Sequence, residues 1–170
     1  MPRFSANLGF LWPDRPLLAR IDAAAAAGFK AIELHWPYDT PAAEVKAAVA
    51  RHGMALLGIN TVVGEPGKDM GLGAVPGREQ EFAAAIDQSI AYCLGSGAIA
   101  IHAMAGKVPP ERLAEGREVL IANLKPAAQK AAVNAGRAGK PVYAGLESVS
   151  FMRATHASPE HKELGVLTQL

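Results

Sequence analysis

One cysteine, Cys93, stands among 170 residues, so no internal disulfide is possible. No cluster of Cys and His has the spacing of a zinc site, and the chain reads as one made for a reducing, cytoplasmic interior. Neither sign of charge is in excess. Seventeen Lys+Arg against sixteen Asp+Glu leave +1, too little to gather nucleic acid or an anionic membrane surface. Long hydrophobic runs are also missing: nothing approaches the roughly 18 apolar residues of a membrane span. The opening Met1-Pro2-Arg3-Phe4-Ser5 has no long apolar segment after its basic residue. Nucleic-acid binding, membrane insertion and export are therefore not expected. What the chain does have is apolar content, 50% of its residues, enough for a single buried core in one domain.

That apolar content alternates between short strand-like runs and longer Ala-rich helical stretches, the pattern of serial βα units on a parallel sheet. Five strands are expected: Phe4 to Phe10, Lys30 to His35, Met54 to Asn60, Ala98 to Met104 and Lys140 to Glu147. Between them, helical spacing runs over Leu17 to Ala27, Ala42 to Arg51, Arg78 to Leu94, and from about Pro110 to about Ala135. Gly28 and Gly53 close the first two helices, and Asp39-Thr40-Pro41 is expected to cap the second. Val63 to Gly77 is a long Gly- and Pro-rich connection after the third strand, the kind of loop that carries function. Two α/β architectures fit. Length favours a doubly wound open sheet, because a complete (β/α)8 barrel takes about 250 residues. Yet no Gly-x-Gly-x-x-Gly and no Gly-x-x-x-x-Gly-Lys-Ser/Thr occurs, so the nucleotide-binding forms of the open sheet have no signature.

In either architecture the reactive end is the carboxyl end of the strands. Asn7, Glu33, His35, Asn60, His102 and Glu147 fall there. Glu33 and His35, two apart on one strand, share a side of the sheet and offer a carboxylate and an imidazole for a metal or a proton; the plainer reading is a strand cap beside a solvated side chain. His102 lies in an apolar strand, as a ligand or as a hydrogen-bonded core residue. Glu147 is where a barrel enzyme projects a carboxylate into its mouth. Arg78 and Glu79, after Pro76-Gly77, offer a guanidinium to a substrate carboxylate or simply begin the next helix, the helix start being the stronger reading for Glu79. Cys93, between Tyr92 and Leu94 with no adjacent base, reads as a buried structural thiol.

The wording of the sequence goes further. Met1-Pro2-Arg3-Phe4-Ser5-Ala6-Asn7-Leu8, Ala31-Ile32-Glu33-Leu34-His35-Trp36-Pro37-Tyr38, Gly58-Ile59-Asn60-Thr61, Gly71-Leu72-Gly73-Ala74-Val75-Pro76-Gly77-Arg78-Glu79 and Ile101-His102-Ala103-Met104-Ala105-Gly106 follow one another in order. Together they resemble the hydroxypyruvate isomerase family of the xylose-isomerase-like TIM barrels, which includes the 2-oxo-tetronate isomerases. The loop motif around Pro76-Gly77-Arg78-Glu79 is the most specific element.

The resemblance implies a partial (β/α) TIM-type barrel of about five units over 1–147 and a divergent tail over 148–170, as of a family member cut short at its C-terminal side. It implies carbohydrate metabolism: interconversion of hydroxypyruvate and tartronate semialdehyde by metal-assisted enediolate proton transfer on a small hydroxy or keto acid. Glu147 inherits the role of catalytic base and metal ligand, with Mg²⁺ or Mn²⁺ as the ion. His102 is the second catalytic candidate, and Glu33, Asn60 and Arg78 are expected to bind substrate. The alternative is an inactive remnant, or a binding module that keeps the substrate loops without the chemistry. A partial barrel would leave its first and fifth strands as open edges, so self-association is expected.

Overall fold

A computed structural model describes residues 4–139 and 143–145. Its order is β1 (Ala6–Asn7), α1 (Leu17–Ala26), β2 (Ala31–Leu34), α2 (Ala42–Arg51), β3 (Ala55–Asn60), α3 (Glu79–Ser96), β4 (Ala100–His102), a 3-10 turn (Pro110–Arg112), α4 (Leu113–Ala138) and β5 (Tyr143–Gly145). The five strands form one sheet in the order β1-β2-β3-β4-β5, every neighbouring pair parallel. Each strand thus lies beside the one before it, with no reversal of direction of the kind a doubly wound sheet contains. This is barrel topology, and the length argument for an open doubly wound sheet is overturned. Among the described residues the sheet is not closed.

The strands are shorter than their apolar runs. Expected over Phe4 to Phe10, β1 is only Ala6–Asn7, because the chain turns at once: the amides of Phe10 and Leu11 both donate to the Asn7 carbonyl. The expected cap on α2 is also absent. Pro41 takes the N-cap position with no side-chain hydrogen bond, and the Thr40 carbonyl instead accepts from the Tyr92 hydroxyl at 2.8 Å.

Alternation along the strands sorts the two sides of the sheet. Ile32, Leu34, Leu56, Ile59 and Ile101 are buried and meet Ile21, Val45, Phe82, Ile86 and Ile90 from the helices in one core. Each such side chain contributes about 1.5–3 kcal/mol when fully buried, so this layer holds the fold. The other side carries Glu33, Gly58, Asn60, Ala100 and His102, all half-buried. Small residues sit deep on that side and polar ones at the carboxyl ends of the strands, which makes room there for a ligand.

The long β3–α3 loop is part of the packed structure. Gly71 bridges Ala105 in antiparallel fashion; the amides of Leu72 and Gly73 donate to the Met104 carbonyl and that of Ala74 to the Ala105 carbonyl. Asn123 of α4 donates to the Gly73 carbonyl at 2.9 Å. Gly71 (φ 113°) and Gly106 (φ 91°) pass so closely that a Cβ on either would collide with the opposite segment. The most specific sequence motif therefore joins the β3–α3 loop to the segment after β4.

Candidate active site

The site is built where β2, β3 and β4 end. Asn60 and His102 are register partners on β3 and β4, and their side chains meet with His102 Nδ1 at 3.2 Å from Asn60 Oδ1. His102 Nε2 is buried with no hydrogen-bond partner. Burial, reinforced by the neighbouring His35, pushes the His102 pKa down to about 4, so the imidazole is neutral at physiological pH.

Glu33 and His35 extend the same side on β2. Ser5 donates to Glu33 Oε1 at 2.5 Å, which ties the carboxylate to the segment entering β1. The His35 ring packs edge-on between Phe10 (4.7 Å) and Trp36 (5.1 Å), and a Cβ on Gly9 would land inside it. Burial lowers the His35 pKa, against the opposing pull of Glu33. Phe10 and Trp36 remain solvent-exposed at 72% and 43% and form an aromatic rim. Arg20 holds the β1–α1 loop beneath this rim, its guanidinium donating to the carbonyls of Leu8, Pro13 and Arg15.

Backbone groups at the strand ends are closed by side chains. Asn60 N–H donates to the His35 carbonyl, so the next rung of a parallel ladder would bring the residue-37 N–H to the Asn60 carbonyl. Residue 37 is proline, which has no N–H. The Tyr38 hydroxyl occupies that place, 2.6 Å from the Asn60 carbonyl. Trp36 Nε1 donates to the Thr61 carbonyl at 3.1 Å, and the Met104 amide to Thr61 Oγ1 at 3.0 Å. Three orphan groups are satisfied, as burial requires. Of these, Tyr38, Trp36 and Thr61 escaped the sequence reading; the visible signal was Pro37 placed directly after a strand.

Asn60 and His102 thus stand together, while Glu33 lies on the same side of the sheet two strands from His102, opposite Gly58. Arg78 does not join them. Its guanidinium is engaged by Asp69 at 3.1 Å and by both oxygens of Glu81, and it lines a separate cleft of about 510 Å³ with Val62, Gly64, Leu72 and Gln88. Three of its five N–H donors pin the loop to α3, so in this structure Arg78 anchors the β3–α3 loop away from the Asn60–His102 pair. Asn7 folds back to accept the Gly9 amide. Glu79 accepts the Gly77 amide at the start of α3, as a helix-start residue does. Cys93 is buried, and burial pushes its thiol up to about 12. Glu147 and the 148–170 tail lie outside the described residues. Among the described residues no three His, Cys, Asp or Glu side chains converge, so these strand ends do not by themselves fit a divalent ion. No described helix is long and apolar enough to cross a membrane.

Comparison with known proteins gives the lineage of this geometry. The profile of the xylose isomerase-like TIM barrels matches residues 21–153. The chain belongs to the xylose isomerase-like TIM barrel family. Within it, the chain is 39% identical over 132 residues to a 2-oxo-tetronate isomerase of Haemophilus influenzae, covering 76% of this chain and 51% of that one. It is 45% identical over 134 residues to a human protein provisionally named hydroxypyruvate isomerase, covering 74% and 48%. It therefore spans about half the length of the curated relatives it matches. A Brucella melitensis structure described as an AP endonuclease, family 2, superposes with a TM-score of 0.72 at 34% identity, covering 78% of this chain and 52% of that one. An L-ribulose 3-epimerase superposes with a TM-score of 0.60 at 20% identity, covering 88% and 50%, a likeness of fold. The resemblance to hydroxypyruvate and 2-oxo-tetronate isomerases read from the motifs is borne out, as is the TIM-barrel class.

Proposed function

We propose that this family member takes part in isomerising a small hydroxy-keto acid, interconverting hydroxypyruvate and tartronate semialdehyde. The observation that carries the reading is the Asn60–His102 pair with its buried, unpartnered Nε2, in a chain related to proteins named for this class of isomerase. In the reaction a proton leaves C3, the enediolate forms, and a proton returns to C2 while the C3 hydroxyl becomes the aldehyde and the C2 carbonyl becomes a hydroxyl. His102, neutral at the operating pH, suits hydrogen bonding to a substrate hydroxyl. Glu33 and Asn60 add an acceptor and an amide at the same end of the sheet.

Glu147 as proton-abstracting base is proposed from the resemblance, as is a requirement for Mg²⁺ or Mn²⁺ with Glu147 among the ligands. The test is turnover of hydroxypyruvate by the purified chain with Mg²⁺ or Mn²⁺, with EDTA, and with Glu147→Gln and His102→Gln. Turnover abolished by EDTA and by Glu147→Gln, and reduced by His102→Gln, is expected. A folded chain that binds hydroxypyruvate without turning it over would establish the binding-module reading instead. Because β1 and β5 each have one partner strand among the described residues, we also propose self-association through these edges; light scattering that gives a monomer at working concentration refutes it.

A further inference from the structure

The strand-end hydrogen bonds contain a relay that the reaction alone does not call for. Asn60 is clamped on both backbone groups, its N–H by the His35 carbonyl and its carbonyl by the Tyr38 hydroxyl at 2.6 Å. Pro37 cannot supply the usual amide to that carbonyl, and the Tyr38 hydroxyl donates to it. Behind Tyr38 stands Ser89 of α3, fully buried, with its hydroxyl 2.7 Å from the Tyr38 oxygen and 2.8 Å from the Ala85 carbonyl, so with the Tyr38 proton on Asn60 the Ser89 proton is shared between these two acceptors. The Asn60 side chain then presents Oδ1 to His102 Nδ1. An imidazole nitrogen facing a carbonyl oxygen is the one that carries the proton. Nε2, buried and unpartnered, is left with a lone pair.

We propose that Tyr38, backed by Ser89, is a positioning residue that acts through Asn60 to hold His102 with its proton on Nδ1, leaving Nε2 as acceptor for a ligand hydroxyl. The hydroxyl-binding consequence rests on the isomerase reading; the tautomer and its dependence on Tyr38 do not. Without the Tyr38 hydroxyl the Asn60 carbonyl is an orphan, the end of β3 shifts to find a donor, and the Asn60 amide loses its fixed aim at His102.

The test is long-range ¹H–¹⁵N spectroscopy of the full chain labelled with [¹⁵N]histidine near neutral pH, the His102 signals being assigned by their loss in His102→Gln. The wild-type chain is expected to show a protonated Nδ1 and a bare Nε2. In Tyr38→Phe, and to a smaller degree in Ser89→Ala, the two nitrogen shifts move toward each other as the tautomers mix. Tyr92→Phe is the control: its hydroxyl bonds the Pro37 and Thr40 carbonyls and does not touch Asn60, so the wild-type pattern is expected to persist. A wild-type His102 protonated on Nε2 overturns the proposal. So does a pattern unchanged in both Tyr38→Phe and Ser89→Ala, or one altered equally by Tyr92→Phe. If Tyr38→Phe does not fold, Ser89→Ala decides alone. A chain with the expected tautomer response but no turnover keeps the positioning role and removes the isomerase reading.

Discussion

Acid is expected to destabilise this fold through His102 before it reaches the carboxylates. The imidazole titrates at about 4 in the folded chain against 6.5 for an unperturbed histidine. The folded value is depressed, so between these limits the unfolded chain binds more protons and stability falls as pH falls. Above about 6.5 the contribution is fully present; below about 4 the loss is complete. Between about pH 7.5 and pH 5 it amounts to about 2 kcal/mol, at 1.36 kcal/mol per pKa unit. His35 acts with the same sign, so the wild-type slope contains more than His102. The His102→Gln variant isolates the difference, because glutamine fills a similar space and does not titrate. Urea unfolding followed by far-UV circular dichroism at several pH values is the assay. Wild type is expected to lose about 2 kcal/mol more than His102→Gln over that range. Equal acid sensitivity in the two chains would refute the assignment of a buried, neutral His102.

Other perturbations test neighbouring parts of the structure. Gly9→Ala drives a methyl into the His35 ring and is expected to cost about 1–3 kcal/mol, with a changed tryptophan emission as His35 leaves Trp36. Arg78→Ala frees Asp69 and Glu81 and is expected to speed proteolysis in the β3–α3 loop, while substrate KM stays unchanged; a raised KM would place Arg78 in the site. Phe82→Ala, at the centre of the layer between sheet and α3, is expected to cost about 3–5 kcal/mol by urea titration. Cys93 is expected to react with a thiol reagent only on unfolding; rapid labelling of the native chain would contradict its burial.

The parts of this molecule that repeat were legible in its sequence, and the parts that depend on one contact were not. Apolar runs at β2, β3 and β4 and helical spacing over α1 to α3 follow from periodicity, and with them the placing of Glu33, Asn60 and His102 at strand ends. Strand order was open on length alone, and the motif resemblance resolved it. The ion pairs of Arg78 with Asp69 and Glu81 were not legible because Asp69 reaches it through an irregular loop whose path no period encodes. Tyr38 was missed for a different reason: its role exists only because Pro37 leaves a hole in the ladder, a fact about hydrogen-bond accounting that neither residue announces alone.

The docking of Gly71 to Ala74 onto Met104 and Ala105 has a consequence for how the molecule opens. The Leu72, Gly73 and Ala74 amides donate across to the segment that follows β4, so their hydrogen exchange is tied to release of the sheet and not to fluctuation of a loop. The irregular stretch thereby joins the cooperative unit of the fold. Only its outer bend, from Glu65 to Lys68 and exposed throughout, stands outside that unit, and that is where the chain would accept an inserted segment at least expense to its stability.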